Sequence, residues 1–413
     1  MDITGLLSQY SDAILFGILV IFLTVFIIVE RKKGKVEVEK VLGNIIYIVM
    51  YKTTWGLDQM DRWAKKHKNF FKYLNPVIIW TGILGSILIS VLLIQSLIDI
   101  FVKEQAVAGA ALVLPFESSF TFYVPFPYWI ISIFLIASVH EMAHGIIARY
   151  YSIKLKSTGF AFFGILLPII PAAFVQPDEK DIVKRPAKEQ LAVYAAGPFS
   201  NIVFGLIAIL ILLFVFNPFY NNVMDPGGIM IGDIAPGSGL ENTTFNPSNE
   251  KFIGINDNET LTVEKFQEAL SRGNPGDTIT LHTNISSYDV ILLEHPNNDT
   301  RPYLGVLGLG QVWDFKEDRM AWAPFVPTID WLHGLIFFLF LLNIGIGLFN
   351  LLPLFIVDGG RMLYTILKDY FKMDEKKASS ITGMVGLFFL AVLLGVLILP
   401  LTPIPEILRA LFS

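Results

Sequence analysis

Long apolar runs dominate the chain, and shorter polar or mixed stretches separate them. Six of these runs approach the roughly 20 apolar residues that carry a helix across the hydrocarbon core of a bilayer. The pattern therefore predicts a polytopic α-helical membrane protein whose first helix lies in an N-terminal anchor, residues 1–30. The six predicted spanning helices lie at about 13–29, 77–101, 128–150, 191–217, 331–352 and 381–400.

One further apolar run does not fit a spanning helix. The stretch "GFAFFGILLPIIPAAFVQPDE" (159–179) contains Pro168 and Pro171, and proline breaks a helix interior. It lies between two segments that we expect on the same side of the membrane, so it must enter and leave on that side. We therefore predict a re-entrant, partly extended segment at 157–176, covered by other protein because irregular backbone does not face lipid.

The segment 218–330 has a different character from the rest of the chain. It is rich in Gly, Asn, Pro and Thr, and it contains short alternating runs such as "DTITLHT". Between these runs, "LTVEKFQEALSRGNPGD" has the pattern of a short amphipathic helix followed by a turn. The pattern predicts a small α/β domain inserted between two parts of the membrane core, 77–217 and 331–413.

Charge is distributed unevenly between the segments that flank the apolar runs. Residues 31–76 contain 11 Lys/Arg and 4 Asp/Glu, whereas residues 218–330 contain 6 Lys/Arg and 16 Asp/Glu. Basic segments stay in the cytoplasm. We therefore expect 31–76 to be cytoplasmic and 218–330 to be extracytoplasmic, and an even number of spans places both termini outside as well.

Composition supports the membrane class and limits the chemistry. Hydrophobic residues make up 54% of the 413 residues, and the mean hydropathy of +0.58 is one that soluble proteins rarely reach. The chain has no cysteine, which excludes disulfides and thiolate metal ligands. Any metal site must therefore use His, Asp or Glu.

The third predicted helix holds three ionisable side chains in the run "IFLIASVHEMAHGIIARY". His140 and His144 are four residues apart, so both imidazoles lie on one helix face and can reach one metal ion. Glu141 lies about 100° round the helix, where its carboxylate reaches a metal-bound water. The alternative is a chance set of solvated residues, but an ionisable group at membrane depth costs about 2.5–3.5 kcal/mol even on lenient scales.

The stretch "NIGIGLFNLLPLFIVDGGRM" supplies candidates for the rest of such a site. A catalytic zinc takes three protein ligands and keeps one position open. Asp358 follows an apolar run, is flanked by two glycines, and lies at about the same predicted depth as the histidines, near the cytoplasmic side. Asn350 is an amide that can hydrogen-bond a substrate carbonyl or a developing oxyanion; the alternative is a hydrogen bond between helices.

These motifs together resemble the site-2 protease family of intramembrane zinc metallopeptidases. The resemblance rests on H-E-x-x-H in one membrane helix and N-x-x-P-x-x-x-x-D-G-G near a later one. The stretch "AAGPFSN" (195–201) resembles the A-G-P-x-x-N helix opening of the family. Two further stretches, "VMYKTTWGLDQMDRWAKK" and "PAAFVQPDEKDI", resemble an archaeal-type branch.

The resemblance implies a role for each candidate residue. His140, His144 and Asp358 would be the ligands of Zn2+. Glu141 would be the general base and acid, and Asn350 would help to position the substrate. The implied activity is hydrolysis of peptide bonds within transmembrane helices of other proteins, as in regulated intramembrane proteolysis.

The inserted domain resembles the PDZ domains that many members of this family carry, with "YLGV" (303–306) as a peptide-carboxylate loop. The expected partners are transmembrane protein substrates, the lipid bilayer and a peptide ligand of the PDZ-like domain. We expect no nucleic acid partner, and we expect a multi-pass protein of the cell membrane.

Two other function classes fit parts of the pattern. A catalytically silent relative would bind membrane helices without cutting them, but such a protein would be free to lose the His-Glu-His-Asp set. A metal transporter would carry polar residues through several spans and show internal repeats. The sequence shows no such repeat, and its polar groups cluster at one predicted depth.

Overall fold

The computed structural model describes residues 10–34, 36–42, 46–103, 109–118, 121–165, 167–235, 237–241, 243–295, 298–405 and 407. The first residues of the predicted anchor, 1–9, and the end of the chain, 408–413, lie outside the described residues. The chain forms two compact units. The membrane unit comprises Met1–Leu212 and Leu332–Ser413, and the inserted unit comprises Leu213–Trp331.

Six stretches of helix among the described residues are long and apolar enough to cross a membrane, one at each predicted position. The helices in chain order are α1 (Ser11–Lys32), α2 (Leu57–Lys66), α3 (Lys68–Val102), α4 (Phe126–Tyr150), α5 (Glu179–Ile182), α6 (Ala187–Ile211), α7 (Asn217–Val223), α8 (Val263–Ser271), α9 (Val326–Phe349), α10 (Asp358–Thr365) and α11 (Glu375–Ile398). The polytopic helical architecture predicted from the sequence is therefore confirmed.

Several helix ends differ from the predicted ones, and two of them have a clear physical reason. Helix α3 begins at Lys68 rather than near 77, because an apolar window marks the part suited to lipid while the helix itself continues into polar residues. Helix α9 ends at Phe349 rather than near 352. Pro353 follows closely, and a residue that precedes proline is disfavoured in helical conformation.

Fourteen strands lie in the described parts of the chain. They are β1 (Val36–Leu42), β2 (Ile46–Thr53), β3 (Leu112–Leu114), β4 (Thr121–Tyr123), β5 (Leu155–Ile165), β6 (Leu167–Pro177), β7 (Met224–Ile234), β8 (Phe252–Ile255), β9 (Asn258–Glu259), β10 (Thr278–Thr283), β11 (Ser287–Ile291), β12 (Leu293–His295), β13 (Asn298–Tyr303) and β14 (Val306–Phe315).

The membrane unit contains a four-stranded antiparallel sheet in the order β1-β2-β5-β6. Strands β5 and β6 form the segment that the sequence predicted to be partly extended, and that conformation is found. The sequence did not predict its partners, because β1 and β2 come from the basic segment 31–76. Strand β6 is the edge of this sheet, and its backbone reaches α4.

Small residues bring the helices of the membrane unit close together. A side chain at Gly82 of α3 would overlap Ala195 of α6 and Met362 of α10, and one at Gly85 would overlap Leu351. Close approach at small residues is the usual way in which helices associate in membranes. The result is one apolar core shared by α3, α4, α6 and α10.

Helix α2 is held against the end of α4. Its Met60 is buried and packs against the surface at Gly145, and the Arg149 guanidinium of α4 donates a hydrogen bond to the Asp61 carboxylate. This hydrogen bond and the positive charge of Arg149 hold the pKa of Asp61 below its usual value. The helix that follows β2 therefore has a fixed position beside the His-bearing helix.

The inserted unit contains a sheet in the order β11-β10-β8-β7-β14, with β9 on β8, and a separate pair, β12-β13. Phe252, Phe266 and Leu281 form its buried core with Ile229. Helix α8 begins after Thr262, whose side chain accepts a hydrogen bond from the backbone of Lys265. The predicted mixture of one short amphipathic helix with alternating strands is therefore found.

Candidate metal centre and active site

The structure brings His140, His144 and Asp358 together. Nε2 of His140 lies 3.0 Å from Nε2 of His144, and Oδ2 of Asp358 lies 3.2 Å and 3.3 Å from these two nitrogens. Each of the three residues is more than nine-tenths buried. Within the described part of the chain, these residues form a group whose ligand atoms all lie within 4.8 Å of one another.

The second nitrogen of each imidazole has a partner on α6. Nδ1 of His144 lies 2.7 Å from the carbonyl oxygen of Val193, which only accepts, so Nδ1 carries a proton and Nε2 of the neutral ring has the lone pair. Nδ1 of His140 lies 3.1 Å from the side-chain amide of Asn201, which is fully buried. Such contacts hold the orientation of both rings, as they do for metal-binding histidines. Turning the Asn201 amide so that its Oδ1, which has no partner among the described residues, accepts from Nδ1 gives the tautomer that a metal-binding His140 needs.

Helix α6 faces the histidine pair with residues at a spacing of four. Val193, Gly197 and Asn201 follow one another on one helix face. A Cβ atom at Gly197 would lie 2.5 Å from Nε2 of His140 and closer still to Nε2 of His144. Only glycine therefore allows α6 to lie against the two ring nitrogens at this point.

Asp358 is placed by the turn that joins α9 to α10. It is the first residue of α10, and the backbone N–H of Gly359 donates to the carbonyl oxygen of Asn350 over 2.8 Å. A Cβ atom at Gly359 or Gly360 would overlap the carbonyl oxygens of the preceding "NLLPL" turn. The two glycines thus permit the tight return of the chain that presents Asp358 to the histidines.

The metal-ligand group opens into a cleft of about 560 Å3, which we call the metal cleft. Glu141 and Asn350 both line it. Oε2 of Glu141 accepts a hydrogen bond of 2.8 Å from the backbone N–H of Val175 on β6. The Asn350 amide donates to the Ile346 carbonyl of α9 over 3.0 Å, and no hydrogen bond from this side chain to another helix is found among the described residues.

Comparison with known proteins places this constellation in a family. Residues 128–393 match the model of peptidase family M50, which covers more than half of the chain and includes all five candidate site residues. The chain belongs to peptidase family M50. This is the site-2 protease family, so the resemblance found in the sequence motifs is confirmed.

An uncharacterized protein of Methanocaldococcus jannaschii is 26% identical to the chain over 237 residues. The match covers 57% of the chain and 56% of that relative, so the chain spans little more than half the length of the curated protein it matches. Membership in family M50 indicates a metallopeptidase, and the six apolar helices fit a multi-pass membrane protein.

The residues present fit a metal ion with the preferences of zinc. Two imidazole nitrogens and one carboxylate oxygen are ligand types that zinc takes in catalytic sites. Two ring lone pairs and a carboxylate at 3.0–3.3 Å repel one another unless a proton or a cation lies among them. The donor set of this M50 peptidase therefore suits a divalent cation, with its open side towards the metal cleft.

Several residues at the site were not assigned a role there from the sequence. Tyr194 and Arg361 also line the metal cleft, and the Arg361 guanidinium lies 5.9 Å from the centre of the Tyr194 ring. Val193 acts through its backbone, which no side-chain motif reveals. The spacing of four between Val193, Gly197 and Asn201 is the signal that points to this face of α6.

We predict that Gly197→Ala lowers metal affinity by about tenfold or more, because a methyl group there displaces both ligating rings. Metal content of the purified protein, measured after dialysis against graded chelator, tests this. Gly345→Ala on α9 is the matched control, because a Cβ atom there meets no other atom within 4 Å. Unchanged metal affinity in Gly197→Ala would contradict the assigned geometry.

Proposed function

We propose that this M50 peptidase is a zinc endopeptidase that hydrolyses peptide bonds within transmembrane helices of other membrane proteins. The observation that carries the proposal is the buried convergence of His140, His144 and Asp358, with Glu141 in the same cleft. Burial of these groups among membrane helices is expected if the peptide bond to be cut also lies in a membrane helix.

Each residue has a role that its position supports. His140, His144 and Asp358 hold the metal, and the chemistry that zinc supplies when bound is polarisation of a carbonyl and activation of water. Glu141 accepts a proton from the attacking water and passes it to the leaving amine. The Val175 N–H holds the Glu141 carboxylate at the cleft, and Asn350 orients the substrate carbonyl.

The alternatives have less support. A catalytically silent relative has no need for ligand atoms within 4.8 Å beside a carboxylate in the same cleft. A transporter needs polar groups along a path through the bilayer, whereas these groups form one cluster. The transporter alternative also fails to account for a match to a peptidase family that spans both motifs.

We propose that the substrate is partly unwound and pairs with β6. Every carbonyl in a membrane helix is already hydrogen-bonded within the helix, so the scissile stretch must become extended before water can attack. An extended peptide needs new partners for its backbone. Strand β6 is an unpaired sheet edge beside Glu141, and addition of a strand to such an edge is a known mode of peptide binding.

We also propose that the inserted unit is PDZ-like and binds a peptide. Its edge strand β14 directly follows the loop 303–306, and α8 packs against that strand. The loop is held by two hydrogen bonds, from the Ala235 N–H to the Gly305 carbonyl and from the Ser238 hydroxyl to the Leu304 carbonyl. A peptide can add to β14 beside α8 with its carboxylate at this loop.

We predict that Glu141→Gln keeps its metal and loses cleavage activity by about a hundredfold or more, because an amide cannot accept the proton. Asp358→Ala should lose both metal and activity. Cleavage of a transmembrane substrate in vesicles and metal content of the same samples are the measurements. Glu39→Gln, at an exposed position on β1, is the control. Full activity in Glu141→Gln would rule out the proposed base.

We predict that the inserted unit is extracytoplasmic and that the basic segment 31–76 is cytoplasmic. The chain has no cysteine, so single cysteines can be introduced without background. In intact cells a membrane-impermeant thiol reagent should label Gln267→Cys, whereas Lys66→Cys should be labelled only after permeabilisation; both positions are exposed. Labelling of Lys66→Cys in intact cells would invert the proposed topology.

We predict that helix-weakening residues near the cut site of a substrate speed its cleavage. Replacing one Gly in a substrate helix with Leu favours the helix by about 1 kcal/mol and should slow cleavage about fivefold. Pull-down on Glu141→Gln should change less than cleavage. Equal cleavage rates for all-Leu and Gly-containing helices would show that unwinding does not limit the reaction.

A further inference from the structure

A second cavity, of about 460 Å3, lies in the membrane unit beside the metal cleft. We call it the apolar cavity. Its walls come from α2, α4, β5 and β6, and they include Met60, Phe134, Met142 and Phe160. Its volume lies within the range of roughly 300–1,000 Å3 that is typical of ligand pockets. None of the roles proposed above uses this cavity.

Helix α4 separates the apolar cavity from the metal cleft. Phe134, Ser138 and Met142 follow one another at a spacing of four and line the apolar cavity. His140 and His144 lie on a different face and line the metal cleft. Glu141 lies between the two faces and lines both spaces. The candidate base is thus the point on the helix where the two spaces meet.

Strand β6 divides the same two spaces by the alternation of its side chains. Ala172 and Gln176 line only the metal cleft, and Ala173 lines only the apolar cavity. Phe174 and Val175, next to Glu141, border both. Since successive side chains of a strand point to opposite faces, a peptide paired with β6 has the same alternation. One of its side chains points to the metal cleft and the next points to the apolar cavity.

We propose that the apolar cavity binds one large apolar side chain, such as Phe, Leu or Met, of the polypeptide being cut. The proposal rests on the proposed function. The side chain bound there is a neighbour in sequence of the residue presented to the metal cleft. The apolar cavity therefore selects among membrane substrates by the size of a single side chain near the scissile bond.

A peptide fits the border of the apolar cavity better than a lipid chain does. The border holds a polar pair, the Glu141 carboxylate and the Val175 N–H. The Val175 N–H is already met by Glu141, but a carboxylate accepts more than one hydrogen bond. A peptide N–H supplies another, whereas an acyl chain offers no donor. A peptide can place an apolar side chain against the lining of the apolar cavity while its backbone hydrogen-bonds at this polar border.

The lining of the apolar cavity includes the aromatic side chain of Trp55, whose backbone is held by hydrogen bonds. The Thr158 hydroxyl donates to the Trp55 carbonyl over 2.6 Å, and the Trp55 N–H donates to the Thr53 hydroxyl over 3.3 Å. The Trp55 side chain is nevertheless 80% exposed. An exposed indole in the lining is suited to pack on an incoming apolar side chain.

The test compares one transmembrane substrate with Phe or Ala at each position around its cut site. The wild-type protein, loaded with zinc in vesicles, should cut the Phe form about tenfold faster at one position, the effect expected from burial of a large side chain. Ser138→Leu narrows the apolar cavity on the α4 side and should bring the Phe:Ala rate ratio towards one. Metal content should stay unchanged, and the Phe form should lose more of its cleavage rate than the Ala form.

Two further variants complete the design. Ser380→Leu makes the same change at an exposed position of α11 and should keep the wild-type Phe:Ala ratio. Met142→Ala enlarges the apolar cavity and should shift the preference from Phe towards Trp. In a readout independent of turnover, a photoreactive phenylalanine analogue at the preferred position should crosslink to Met142 or Phe134.

The outcomes separate the two proposals. If the wild-type protein cuts neither form of any substrate, the proposed function is wrong and the inference falls with it. If the wild type cuts substrates and Ser138→Leu keeps the full Phe preference, only the side-chain pocket is overturned. An equal loss of cleavage on Phe and Ala forms in Ser138→Leu, without a crosslink, would show that the apolar cavity holds lipid or supports the fold.

Discussion

The mutual closeness of three buried ionisable side chains is the constraint on which the membrane unit depends. His140, His144 and Asp358 come from two helices distant in sequence, and each is expensive to bury alone among apolar residues. Their cost falls only when they share one positive charge, which requires the helices to approach closely. Glycine supplies that approach at Gly197 on α6 and at Gly359 beside Asp358. The small residues are thus as necessary to the site as its ligands.

A second constraint comes from the backbone. Extended chain within a membrane protein must have its hydrogen bonds met by other protein, and strand β5 meets those on one side of β6. The other side of β6 is an edge, and there the Val175 N–H is met by the Glu141 carboxylate. The sheet therefore supplies both a position for the candidate base and an edge on which an unwound peptide can find partners.

The parts of this arrangement that the sequence predicts are local. A spacing of four puts His140 and His144 on one face, long apolar runs mark six helices, and two prolines mark the extended segment 159–179. The convergence with Asp358 follows from motif resemblance, since no local rule joins residues so far apart. The pairing of β2 with β5 is likewise non-local, and the charged pattern of 31–76 conceals it. The metal cleft and the apolar cavity arise only from packing between such distant segments.

The proposed substrate must unwind and must also place a large side chain in the apolar cavity, and no single residue serves both requirements. Unwinding favours Gly, Asn or Pro, which weaken a helix, whereas the apolar cavity favours a large side chain, which leaves the helix intact. Both are met when they fall on neighbouring positions, one side chain in the apolar cavity and a helix-weakening residue beside it. Most membrane helices carry large apolar residues almost everywhere but few helix breakers. Substrate selection then depends on a large apolar residue next to a helix-weakening residue. A helix with abundant Leu or Phe and no helix-weakening residue is therefore not cleaved.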